Sequence, residues 1–269
     1  MSAFAPVPAL PGPRMIWHFG FQKTGTTAVQ ALMRKNARLL CDKVALFPRG
    51  RWTAALRGAA AAFLRSKTSA ARADFQGEVR SLVAKVRADG HSVAIVSDEN
   101  VLGLRLHDDS GTIFEHAASI VPLVAEAASE AQNEFHFFIR DPQAWLRSAH
   151  NQEVKQLRGT HSYDSWPARH LVVDWAALQA QLAALTPAPV TFHDMQADRA
   201  QGRLTGSTLL VAAGVDAGLI AQLEDPGAQN EALPDAALAF MIEVNKTGLK
   251  PKDIGVIRDL VIANRGLFK

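Results

Sequence analysis

The stretch Arg14 to Gln30, R-M-I-W-H-F-G-F-Q-K-T-G-T-T-A-V-Q, leaves the chain few folds to choose from. Its apolar run from Met15 to Phe19 stops at Gly20, and a good helical pattern begins near Thr26. That order is strand, tight glycine-bearing loop, helix. Unpaired N–H groups and the positive end of the helix dipole make such a helix start an anion site, above all for phosphate. Gly20 and Gly25 let the backbone approach an anion where a Cβ would intrude. Lys23, Thr26 and Thr27 add an ammonium and two hydroxyls. In a nucleotide-triphosphate loop, Lys stands immediately before the Ser/Thr that holds magnesium. Here Gly25 occupies that place, and Lys23 sits earlier, in the bend. The loop therefore reads as a holder of a phosphate or sulfate ester. The plain alternative is a chance glycine–threonine turn.

Four more segments read as strands. Val93–Val96 runs into Ser97-Asp98-Glu99-Asn100, Phe135–Ile139 runs into Arg140, and Pro189–His193 is a late strand; Val44–Phe47 is a shorter one closed by Pro48. Continuous apolar runs without alternation suit parallel strands covered on both faces. Between them, helices are expected over 26–40, 49–65, 70–88, 112–130 with Pro122 as a kink, from Pro142 onward, 162–170, 172–185, 204–213, up to Asn245, and over 252–263. This is an α/β protein, read as one domain over 14–269 behind a flexible, proline-broken tail, 1–13, that makes a poor signal peptide.

At 269 residues, 48% hydrophobic and 20% charged, the chain has ample material for a globular core. Cys41 is its single cysteine, which excludes an internal disulfide and points to a reducing, cytoplasmic setting. A net charge of +3 suits an anionic ligand but is too weak to argue for nucleic acid. No apolar run reaches the length of a transmembrane segment.

Carboxylates and cations at strand ends lie beside the crevice where open α/β sheets bind ligands. Asp98, closing an apolar strand, has the look of a magnesium-organising position in a nucleotide kinase, although the first loop lacks the matching Lys-Ser/Thr pair. Glu99 is the sharper candidate for acid–base work, against a plain role at a helix start. Arg140, with Ser148 two helical turns on, can converge on one anion: guanidinium grips phosphate bidentately and the hydroxyl adds a directional bond. Arg49, Arg51, Arg57 and Arg65 with Trp52 form a basic stretch that reads first as a solvated face. His107, Asp108, Asp109 and His116 match no metal-ligand spacing, so no metal site is expected.

The pattern G-x-x-K-T-G-T-T resembles the 5′-phosphosulfate loop of sulfotransferases that use 3′-phosphoadenosine-5′-phosphosulfate (PAPS). The segment V-S-D-E-N resembles the Ser-Ser-Glu-Asn stretch of their bacterial branch, with Asp98 where serine is common. Arg140 followed eight residues later by Ser148 matches the family's 3′-phosphate pair. The resemblance covers most of the chain from Met15 to about Leu249. It implies a P-loop NTPase-like, three-layer α/β/α fold with a mostly parallel central sheet. It also implies sulfuryl transfer from PAPS to a hydroxyl or amine, without metal, leaving adenosine 3′,5′-bisphosphate. Gln22, Lys23, Thr24, Gly25, Thr26 and Thr27 would hold the 5′ end, Arg140 and Ser148 the 3′-phosphate, and Lys23 and Glu99 would be catalytic. The resemblance also offers His18 as a second base and Asn230 as a nucleotide contact. The acceptor, whether sugar, lipid, peptide or small molecule, is not readable from sequence. Rival readings are a magnesium-dependent kinase using Asp98 and a non-catalytic nucleotide-binding homologue.

Overall fold

The computed structural model describes residues 12–227 and 232–268; Asn230 and most of the N-terminal tail lie outside them. In chain order the elements begin with β1 (Arg14–His18), α1 (Thr26–Lys35), α2 (Ala37–Leu40), β2 (Ala45–Pro48), α3 (Ala54–Ser66), α4 (Ser69–Ala88) and β3 (Val93–Ser97). A 3-10 turn (Glu99–Leu102), a small hairpin of β4 (His107–Asp108) and β5 (Gly111–Thr112), α5 (Ile113–Ala127), β6 (Gln132–Ile139) and α6 (Pro142–Leu157) follow. The rest comprises α7 (Trp175–Ala184), β7 (Val190–Asp194), α8 (Ala197–Ala200), α9 (Ser207–Ala212), α10 (Ala217–Ile220), α11 (Asp235–Lys246) and α12 (Pro251–Ala263).

Five strands form one sheet in the order β2-β3-β1-β6-β7, and every pairing is parallel. The chain builds the β2–β3 side of the sheet after β1 and then crosses to build the β6–β7 side, which makes the C-terminal end of β1 the switch point where open α/β sheets form a crevice. Alternate residues supply two cores, as the pleat requires. Met15, Trp17, Ala94, Val96, Phe135 and Phe137 face a core built with α3, α4, α5 and α7. Ile16, Ile95 and Phe138 face the opposite core, built with α1 and α9. Helices thus cover both faces, in the layering of a three-layer α/β/α fold. A third cluster joins α11 and α12 to Val154 of α6.

Several expected boundaries move, each for a local reason. The helix expected over 26–40 breaks at Asn36, whose side-chain amide donates to the Glu224 carbonyl at 3.0 Å and accepts from the Glu224 N–H at 2.8 Å. The helix expected from Arg49 starts only at Ala54, because Thr53 turns its hydroxyl to Asp98. Residues 162–170 form two short 3-10 turns, Tyr163–Ser165 and Pro167–His170, instead of an α-helix. Pro167 restricts Trp166 to extended backbone between them. Pro122 sits inside α5. Asp141 caps α6 by accepting from the Ala144 N–H at 2.8 Å, with Pro142 in the first turn. Among the described residues no helix is long and apolar enough to cross a membrane.

Candidate functional site

The loop between β1 and α1 is held from both sides. Trp145 Nε1 of α6 donates to the Gln22 carbonyl at 2.7 Å, and Gln22 Nε2 donates to the Gly103 carbonyl at 2.7 Å. The Thr24 hydroxyl donates to the Phe21 carbonyl within the loop. Three residues of the loop take positive φ, Gly20 at 32°, Lys23 at 66° and Gly25 at 88°. A Cβ on Gly20 would stand 2.5 Å from Thr26 Cγ2 and 3.1 Å from His18 Nε2. The backbone N–H groups of residues 23–27 are not taken by main-chain acceptors among the described residues, so the helix start keeps its unpaired donors.

These donors face a cavity of about 540 Å³ over the C-terminal ends of the strands. Gln22, Lys23, Gly25, Thr26 and Thr27 line it from the loop, Glu99 and Asn100 from the end of β3, Arg140 from the end of β6, and Ser148 with Gln152 and Gln156 from α6. Ser148, Gln152 and Gln156 follow at four-residue spacing, which places them on one helix face. Arg140 Nη1 makes a long 3.5 Å contact with the Lys23 carbonyl, and its buried Nε has no partner among the described residues. Desolvation, then the nearby Lys155 and Arg140 charges, push the Lys23 ammonium down to about 8, with Glu99 opposing them. A cation so placed is short of negative charge, which a bound anion would provide.

Glu99 is almost fully buried. Gln30 Nε2, also buried, donates to its Oε2 at 2.6 Å, and Arg49 Nη1 lies 3.4 Å from its Oε1. The carboxylate is therefore fixed from α1 on one side and from the end of β2 on the other.

The structure brings together most of the residues singled out in sequence, with three exceptions, Thr24, Asp98 and His18. The Thr24 side chain is fully buried, closes the turn through its hydroxyl and does not line the cavity. Gln22 reaches the cavity, but its amide N–H is directed to Gly103. Asp98 is fully buried and pairs with Arg57 while accepting from Thr53 Oγ1 at 2.7 Å and from the Asn100 N–H at 3.1 Å. It does not line the cavity. His18 is wholly buried beneath Gly20, bonds Ser97 Oγ through Nδ1 at 2.8 Å, and burial pushes it down to about 3.

The basic stretch does not act as one face. Arg49 enters the cavity, Arg57 serves Asp98, and Arg51 and Lys85 flank the exposed Trp52 ring at 4.6 and 4.5 Å. His116 joins the hairpin to the core through Leu102 and Ser110, and no group of His, Cys, Asp and Glu among the described residues is arranged to hold a metal. Met195, Arg199 and Thr205, around α8, line the cavity without any motif in the sequence to announce them. No protein-family model matches the chain, and no curated protein matches it.

Proposed function

We propose that this protein is a PAPS-dependent sulfotransferase of P-loop NTPase-like type. The observation that carries the reading is one cavity shared by the anion loop, the Arg140–Ser148 pair and the Glu99 carboxylate. Its volume is in the range that holds small ligands. The residues fit a doubly anionic nucleotide. The loop offers unpaired amides and Lys23, and beside it Arg140 offers a buried guanidinium nitrogen with no partner among the described residues. When bound, the donor would supply a sulfuryl group whose bond to the 5′-phosphate oxygen breaks as a bond to the acceptor oxygen or nitrogen forms.

In this reading the loop N–H groups and Lys23 stabilise charge growing on the leaving phosphate, which is where fixed donors contribute most. The Thr26 and Thr27 hydroxyls add bonds to the same group. Arg140 and Ser148 hold the 3′-phosphate and so separate this donor from ATP. Glu99, oriented by Gln30, takes the proton that the acceptor loses. The kinase reading is disfavoured because Asp98 is already held by Arg57 and Thr53 and stands outside the cavity.

Thermal-shift titration tests the proposal. Adenosine 3′,5′-bisphosphate is expected to stabilise the protein without added metal, and ATP with magnesium is not. Labelled PAPS offered to sugar, lipid, peptide and phenol acceptors then reads transfer. Glu99→Gln is expected to lower it by about 10²–10⁴-fold while bisphosphate affinity is kept. Full transfer by that variant removes Glu99 as the base; stabilisation by ATP–magnesium alone removes the sulfotransferase reading.

A further inference from the structure

Arg49 faces the carboxylate that the mechanism above relies on, and the contact between them is loose. Its Nη1 stands 3.4 Å from Glu99 Oε1, longer than a strong charge-assisted hydrogen bond, and its guanidinium has no other hydrogen bond or ion pair with a described residue. Both side chains line the cavity, Glu99 almost fully buried and Arg49 41% exposed. The backbone is held more firmly, since the Arg49 carbonyl accepts from Arg34 Nη2 of α1 at 2.8 Å. Gln30 already occupies Glu99 Oε2 at 2.6 Å. Oε1 is therefore the oxygen left to receive a proton, and Arg49 covers it.

The sheet sets these groups in line. Arg140 follows β6, Lys23 lies in the loop after β1, Glu99 follows β3 and Arg49 follows β2, and these strands are neighbours in the order β6-β1-β3-β2, about 4.8 Å apart. On the PAPS reading the donor lies across β6 and β1, so an acceptor meets Glu99 from the β3–β2 side. Among the described lining residues, Arg49 is the one cation that those two strand ends supply. A single 3.4 Å contact to a half-exposed guanidinium is a weak ion pair, and a second carboxylate that fits the planar fork replaces it like for like. Resting on the reading of the cavity as a PAPS site, we propose that the acceptor is a hydroxy acid whose carboxylate draws Arg49 away from Glu99. In the absence of that acceptor Arg49 shields the base. The exchange breaks one ion pair and forms another. The uncovered Oε1 then takes the hydroxyl proton as the acceptor oxygen bonds to sulfur and the 5′-phosphate oxygen leaves with its electron pair. One hydrogen bond at each end of the 3.4 Å contact keeps the acceptor's hydroxyl and carboxylate within about 9 Å of each other.

Transfer from labelled PAPS to methyl β-glucuronide and to 4-hydroxyphenylacetate, each beside its carboxamide, tests this with wild type, Arg49→Ala and Arg49→Lys. Calorimetric titration with adenosine 3′,5′-bisphosphate checks the donor site and the fold of each variant, and its affinity is expected to stay within about twofold of wild type. Wild type is expected to favour the acids over the amides by about tenfold or more in kcat/KM. Arg49→Ala is expected to lose that preference through the acids, with amide transfer no slower than in wild type. Arg49→Lys is expected to recover part of the preference, since it restores charge without the fork. An acid-to-amide ratio near one in wild type, or one that the Ala variant keeps, overturns the proposal. An equal loss on acids and amides also overturns it, because Arg49 then only supports Glu99, as does bisphosphate binding without transfer to either acid. A wild-type protein that neither binds the bisphosphate nor transfers sulfate instead overturns the PAPS reading, and this inference with it.

Discussion

Replacing Lys23 by Met is expected to make the unliganded protein more stable while removing its hold on the nucleotide. Lys23 is pushed from an ordinary 10.5 to about 8, mainly because the loop desolvates it. Below about pH 8 the folded chain carries this charge against its preference. Between 8 and 10.5 the unfolded chain binds the proton and the folded chain releases it, so the penalty falls as pH rises. Above 10.5 both states are neutral and the penalty is gone. Each pH unit of that window corresponds to about 1.4 kcal/mol, which sets a ceiling near roughly 3.4 kcal/mol. Water at the cavity mouth screens part of it, leaving about 1–2 kcal/mol at neutral pH. For a chain of this length that is a rise in Tm of roughly 2–6 °C. Met keeps the unbranched stem, so the cost of positive φ at this position is unchanged. The assay is urea unfolding of wild type and variant from pH 6 to 11. A stability difference that does not shrink between pH 8 and 10.5, or a variant less stable than wild type at pH 7, refutes the argument.

Three further outcomes are expected. Asp98→Ala strands Arg57 and Thr53 and should destabilise the protein by about 3 kcal/mol or more, read as a lower urea midpoint. His136 and His193 share a 2.8 Å hydrogen bond, and burial lowers both, His193 to about 4. The His193 contribution to stability is complete above pH 6.5 and is lost as pH falls toward 4, so His193→Phe should flatten the acid limb of a stability–pH curve. Gly20→Ala forces a Cβ against Thr26 and His18; its bisphosphate affinity should fall at least tenfold, by titration, even where the fold survives.

The parts of the site that were legible in sequence are those where chemistry and secondary structure change together over a few residues. Gly20 to Thr27 announces itself because a strand, two glycines and a helix start fall in one short span, and Arg140 because it ends an apolar strand just before Pro142. Orientation was less legible. Nothing in T-G-T-T distinguishes Thr24, which turns inward to Phe21, from Thr26 and Thr27, which face the cavity. Asp98 and Glu99 are neighbours with opposite assignments. Only the fold brings Arg57 onto Asp98 and leaves Glu99 to Gln30 and Arg49. Arg199 and Thr205 carry no local signal at all, since their place depends on how the turn after β7 docks on α1 and α9. Central strands were legible from unbroken hydrophobicity, whereas the break at Asn36 arises from a contact with Glu224, distant in sequence.

The cavity groups hang from the ends of several parallel strands and from α6, and the contact between Arg140 and Lys23 spans 117 positions along the chain. No contiguous fragment can therefore assemble the pocket, and a chain whose β6–β7 side has opened retains the glycine turn but has lost its opposing arginines. On the proposed reading, a nucleotide seated there would clasp the middle of the sheet to its edge. Its presence should be felt as slower amide exchange in strands it never touches, so occupancy of the site and integrity of the whole sheet become one measurement.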